Sequence, residues 1–205
     1  MTEVFLRRLS RWQADQQREA IADLYVAAYR GASGEEFHDR RVFLKRFATD
    51  VQRPGFDMLV ASDTALAGCV YGYPPHRSGG WWQGLRGGVP QDIEELTASG
   101  NVFAIAELMV HPSHLRQHIA SHLQERLLAR VDAELVTTFV DATNTAATSA
   151  YRSWGWSMTG RITATESRAE LEVWSREPLR GTGTGTGTGP GTGSGPGPGT
   201  APGRG

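Results

Sequence analysis

Residues 107–123 read Glu107-Leu-Met-Val-His-Pro-Ser-His-Leu-Arg-Gln-His-Ile-Ala-Ser-His-Leu123, and this stretch decides the architecture. An apolar run ends at Val110, Pro112 turns the chain, and from Gln117 the apolar residues fall at helical spacing. The reading is strand, tight polar turn, helix. In that arrangement the unpaired amides and the positive end of the helix dipole face outward together, which suits a phosphate-like anion. No glycine lies between positions 101 and 154, so the turn is neither a Walker loop nor a dinucleotide fingerprint.

Working outward, 102–111 is the most strand-like run in the chain. The helix over 117–131 carries Ile119, Leu123, Leu127 and Leu128 on one face. A short apolar strand follows at 135–141, and a helix between two such strands predicts a parallel pair. Upstream, a strand is expected at 4–9. A helix over 14–30 carries Ile21, Leu24, Tyr25, Ala28 and Tyr29 and stops at Gly31. A second, over 35–48, turns Phe37, Val42 or Phe43, Leu44 and Phe47 inward. Two strands, 56–61 and 65–73, are joined by Ser62-Asp63-Thr64. A long loop over 76–100 holds Trp81 and Trp82, with one helical turn near 91–98. Downstream come a helix at 144–154, its stop at Gly155, and strands at 156–162 and 169–175. The order β-α-α-β-β-β-α-β-α-β-β is a mixed α/β domain without internal repeats.

Composition sets the limits of that domain. Residues 181–205 contain 12 of the 25 glycines, 4 of the 10 prolines and six threonines, and nothing apolar larger than proline. Such a tail cannot offset the entropy of ordering, so 1–180 is read as one domain and 181–205 as a disordered tail. Without the tail, 20 basic residues face 22 acidic ones, which excludes a general nucleic-acid or polybasic membrane binder. Cys69 is the only cysteine and is read as a small core residue, so neither an internal disulfide nor a cysteine-based zinc site is expected. No run approaches a membrane span or a signal peptide, and the default compartment is the cytoplasm. Four histidines, His111, His114, His118 and His122, fall within twelve residues, but the His-Glu-x-x-His pattern is absent and no metal is expected.

The motif Glu-Leu-x-Val-x-Pro, a polar turn, Ile-Ala and an apolar helix resembles the acetyl-CoA-binding motif of the GNAT acetyltransferase superfamily. A second segment, Asn144-Thr-Ala-Ala-Thr-Ser-Ala-Tyr151-Arg-Ser-Trp-Gly155-Trp156, resembles that superfamily's other signature. The resemblance covers about residues 4–176 and is sharpest over 102–156. It implies a central mixed sheet with helices on both faces, and an N-acetyltransferase using acetyl-CoA and an amine acceptor, as monomer or homodimer. It further implies that the strand at Glu107–Val110 splays from 135–141 to admit the pantetheine arm, which would pair with Met109 and Val110. Leu115, Arg116, Gln117, His118, Ile119 and Ala120 would cradle the pyrophosphate, Asn144 would flank the arm, and Tyr151 would point at the thioester sulfur. The turn departs from the family pattern: Leu115 stands where a basic residue belongs and His118 where the first glycine belongs, while Ala120 fits. His118 either obstructs the phosphates or adds charge to them, and Arg116 is placed to replace the missing arginine.

Amine attack on a thioester needs a base for the amine and an acid for the departing thiolate. Tyr151 suits the acid. Glu107, an acid within an otherwise apolar strand, is either a buried base or a residue that faces solvent or pairs with an arginine. Trp81 and Trp82 are read as a substrate-pocket wall or as a loop folded onto the core. The rival functional readings are a non-catalytic GNAT-fold binding module and a metal-binding module built on the histidines.

Overall fold

The computed structural model describes residues 4–29, 40–163 and 169–177. Their strands are β1 (Phe5–Leu9), β2 (Asp57–Ser62), β3 (Leu66–Tyr73), β4 (Val102–Val110), β5 (Leu135–Asp141), β6 (Ser157–Thr163) and β7 (Glu170–Arg176). They form one sheet in the order β1-β2-β3-β4-β5-β7-β6. Every neighbouring pair is antiparallel except β4 and β5, as the sequence predicts for strands joined by a crossover helix.

The helices are α1 (Arg11–Gln16), α2 (Arg18–Tyr29), α3 (Arg40–Asp50), α4 (Gln91–Ser99), α5 (Ile119–Leu128) and α6 (Thr145–Ser153). The single helix expected over 14–30 is two. Ser10 and Gln13 form a reciprocal capping box that starts α1 early, and the chain turns at Gln17 before α2. Of the alternatives on α3, Phe43 is the inward residue and Val42 is exposed, because Phe43, Phe47 and Asp50 share one face. The expected turn near 91–98 is the full helix α4, stopped by Gly100 in the left-handed region. Gly31, Phe37 and the expected helix start at 35, together with the tail at 181–205, lie outside the described residues.

Helices cover both faces of the sheet. On one face α1, α2 and α3 pack over Cys69, Tyr71 and Tyr73 of β3 and Met109 of β4. On the other, α5 and α6 pack over Val70, Phe103, Ile105, Val136 and Val140. Cys69 is fully buried, as expected for a core residue. A third cluster joins Trp82, Leu85 and Ile93 to Val102, Ile162 and Val173 and ties the 76–100 loop to the sheet.

One irregularity in β4 positions the site. Tyr71 pairs with Glu107 but Gly72 pairs with Ile105, so Ala106 is an extra residue in the ladder. Gly72 sits opposite this bulge. A Cβ there would lie 2.6 Å from the Phe103 ring and inside the Ala104 carbonyl, so the strands can approach only because this position has no side chain.

Candidate active site

Strands β4 and β5 pair only from Val102↔Leu135 to Ile105↔Thr138. Beyond that point β4 stays with β3 as far as Val110, and β5 stays with β7 as far as Asp141. The strands therefore part after four pairs, as expected from the motif. The Thr138 hydroxyl donates to the Ile105 carbonyl at 3.0 Å and marks the base of the gap. Met109 is buried and Val110 partly buried along the β4 side of the gap.

From Val110 the chain enters a short 3₁₀ turn, Pro112–His114. His111 Nδ1 accepts from the Ser113 amide at 3.3 Å, and His114 Nε2 reaches Asp63 Oδ2 at 3.2 Å, which ties the turn to the β2–β3 hairpin. Arg116 and His118 then take positive φ, 62° and 59°, the only two non-glycine residues to do so among those described. His118 is thus the N-cap of α5 in the backbone conformation that a glycine would take, and its side chain caps nothing. The first amides of α5 have no intrahelical partner. Leu115, Arg116, Gln117 and His118 line the turn in front of them, Ile119 is buried beneath, and Ala120 is half-buried. The described residues contain no cluster of three potential metal ligands, and none of their helices is long and apolar enough to cross a membrane.

On the face covered by α2 and α3, Glu107 is 9 % exposed and is bonded by Arg46 of α3 and by the Tyr29 hydroxyl at 3.0 Å. It is therefore both buried and paired with an arginine, two alternatives that the sequence leaves separate. Burial raises its pKa, and Arg46 and Tyr29 oppose the rise. A second buried carboxylate, Asp50, accepts from Arg53 Nε at 3.1 Å and from the Tyr71 hydroxyl at 3.5 Å. The Arg53 guanidinium lies 4.6 Å from the Tyr73 ring centre. Sequence reasoning missed Arg46, Asp50, Arg53 and Tyr29 as site residues. The available signal was Asp50, an acid on the apolar face of α3 beside Phe43 and Phe47, at a spacing that otherwise marks core positions.

Tyr151 lies on the opposite face. Its ring packs at 5.3 Å from that of Trp154 and 5.1 Å from that of Trp156, and its side chain is hydrogen-bonded with Thr138, at the base of the gap. Burial raises its pKa, so the hydroxyl keeps its proton at neutral pH. Asn144 Oδ1 caps α6 by accepting from the Ala147 amide at 3.0 Å. The two tryptophans part company. Trp82 is buried and donates to Thr97 Oγ1 at 2.8 Å, so it anchors the loop on α4 and presents nothing to a substrate. Trp81 stacks on Phe139 of β5 with ring centres 4.3 Å apart and meets Tyr73 edge-on.

Residues 18–156 match the model of the acetyltransferase (GNAT) family. The chain belongs to the GNAT acetyltransferase family. Comparison with curated protein sequences gives no match. Solved GNAT structures share the fold at low identity. The PaiA N-acetyltransferase of Thermoplasma acidophilum, solved with coenzyme A, is 14% identical with a TM-score of 0.54, over 85% of this chain and 99% of that one. The Salmonella typhimurium protein yncA, solved with acetyl-CoA, is 16% identical with a TM-score of 0.57, over 86% and 94%. The ribosomal-protein-S18-alanine N-acetyltransferase of Escherichia coli is 15% identical with a TM-score of 0.57, over 89% and 98%. The two sequence motifs that suggest GNAT membership are thus matched by a family model spanning both.

Proposed function

We propose that this GNAT protein moves an acetyl group from acetyl-CoA to a primary amine by direct transfer in a ternary complex. The observation that carries this reading is the gap between β4 and β5, with Glu107 on one face, Tyr151 on the other, and the α5 N-terminus at its outer end. The pantetheine arm would pair with the β4 backbone near Met109 and Val110, beside Asn144. The pyrophosphate would meet the amides of residues 115–120 and the side chains of Arg116, Gln117 and His118. The amine nitrogen attacks the thioester carbon, its proton passes to Glu107, and the C–S bond breaks as Tyr151 gives its proton to sulfur. Both side chains return to their starting states by proton exchange with solvent. For Glu107 to act as base, its bond with Arg46 must loosen when the acceptor binds.

Acetyl-CoA should raise the melting temperature in a concentration-dependent way, and coenzyme A thiol should be released in the presence of an acceptor amine. Absence of any stabilisation by acetyl-CoA at millimolar concentration would return the protein to a non-catalytic binding role.

A further inference from the structure

The face of the gap that an acceptor must approach has an unusual charge arrangement. Its two carboxylates are sunk: Glu107 is 9 % exposed and the Asp50 side chain 3 %. Each is covered by an arginine that is far more open, Arg46 at 46 % and Arg53 at 41 %. The Arg46 guanidinium lies by the rings of Tyr25 and Phe43, 5.7 and 5.6 Å from their centres, and is the more open polar group above Glu107. Arg53 is held over Tyr73, whose ring is edge-on to Trp81 at the β5 side of the gap. Among the described residues, the more open polar groups on this face are therefore the two guanidinium groups, with the carboxylates that balance them beneath.

Resting on the transfer reaction above, we propose that the acceptor is an amine bearing a carboxylate, such as an amino acid, and that Arg46 receives that carboxylate. Two physical consequences point the same way. A guanidinium fork matches a carboxylate in two parallel hydrogen bonds. Transfer of Arg46 from Glu107 to the acceptor's carboxylate frees Glu107 to take the amine proton, so the correct acceptor unmasks its own base. A polyamine brings no carboxylate to draw Arg46 away, so Glu107 stays masked to it.

The test measures coenzyme A thiol release from acetyl-CoA with acceptor pairs that differ only in the acid: alanine and alaninamide, phenylalanine and phenylalaninamide, 4-aminobutyrate and butylamine. Spermidine serves as the polycation, and rates are expressed per concentration of neutral amine. The carboxylate member of at least one pair should show kcat/KM ten- to a hundredfold above its partner, with spermidine at background. Arg46→Gln should remove that ratio, mainly by raising KM for the carboxylate acceptor, and Arg46→Lys should keep part of it. A merely structural role for Arg46 would lower both members equally, and Arg46→Lys guards against loss of folding in the glutamine variant. Equal or better turnover of the amides, a ratio that survives Arg46→Gln, or preference for spermidine would overturn the proposal. Turnover of no panel member while acetyl-CoA still stabilises the protein would refute the acceptor class and leave the transfer reading standing. Loss of acetyl-CoA stabilisation as well would remove both.

Discussion

Replacing His118 by glycine separates backbone strain from side-chain function at the anion-binding turn. His118 has φ 59° and ψ 12°, its imidazole caps nothing, and the side chain is exposed, so removing it costs almost no packing. A non-glycine residue in the left-handed region costs roughly 1–2 kcal/mol, with histidine among the better tolerated. Against this, glycine loses about 0.4–1 kcal/mol more conformational entropy on folding. The net expectation for His118→Gly is a gain of about 0.5–1 kcal/mol, or roughly 1–4 °C in melting temperature for a domain of this size. His118→Ala retains the Cβ and the strain and should show no gain. If the imidazole is only tolerated, both variants hold or tighten acetyl-CoA affinity in isothermal titration. A melting temperature lower in the glycine variant than in the alanine one would refute the strain argument. A tenfold loss of affinity in both variants would show that the imidazole itself holds the phosphates.

Tyr151→Phe keeps the ring among its tryptophans and removes the hydroxyl, so turnover should fall ten- to a thousandfold in steady-state assays with little change in acetyl-CoA affinity. As the proposed base Glu107 must be ionised, so activity should rise with pH through its pKa, which burial places above the ordinary carboxylate value of about 4.3. Glu107→Gln should abolish that acidic limb of the pH–rate profile. Arg46→Gln, by removing a charge that favours the carboxylate, should move the limb to higher pH. Gly72→Ala drives a methyl group into the Ala104 carbonyl and the Phe103 ring and should destabilise the fold by about 2–4 kcal/mol in denaturant melts. Deleting residues 181–205 should leave the melting temperature within about 2 °C, since that segment carries no core-forming side chain.

The order of elements was legible because each rests on a local signal. Apolar period 2 marks the strands, period 3.6 marks α5, and Pro112 and Gly155 stop their segments. The division of α1 from α2 was also written locally, in the capping pair Ser10 and Gln13, but the apolar spacing of α2 hid it. The cluster around Glu107 was not legible, for a different reason. Glu107, Tyr29, Arg46 and Asp50 come from three separate elements, and only the packing of α2 and α3 on β3 and β4 brings them together. Trp81 and Trp82 show the same limit: adjacent in sequence, one is committed to a stack on Phe139 and the other to a hydrogen bond with Thr97.

The bulge at Ala106 decides which face of the sheet Glu107 occupies. Phe103 and Ile105 face α5 and α6, and strict alternation would put Glu107 on that same face, with Tyr151. The extra residue reverses the alternation. Ala106 and Met109 pack with α2 and α3, Glu107 meets Tyr29 and Arg46, and Leu108 and Val110 return to the α5 face. The same irregularity falls immediately after the last β4–β5 pair, where the strands part. With Glu107 as the proposed base and Tyr151 as the proposed acid, the two groups would reach a thioester in the gap from opposite faces of the sheet. Gly72 permits the close strand approach that the bulge requires, so its substitution should impair transfer beyond what its loss of stability accounts for. In any Gly72 variant that still folds, Glu107 should lose its fixed position, and kcat should fall more than acetyl-CoA affinity does.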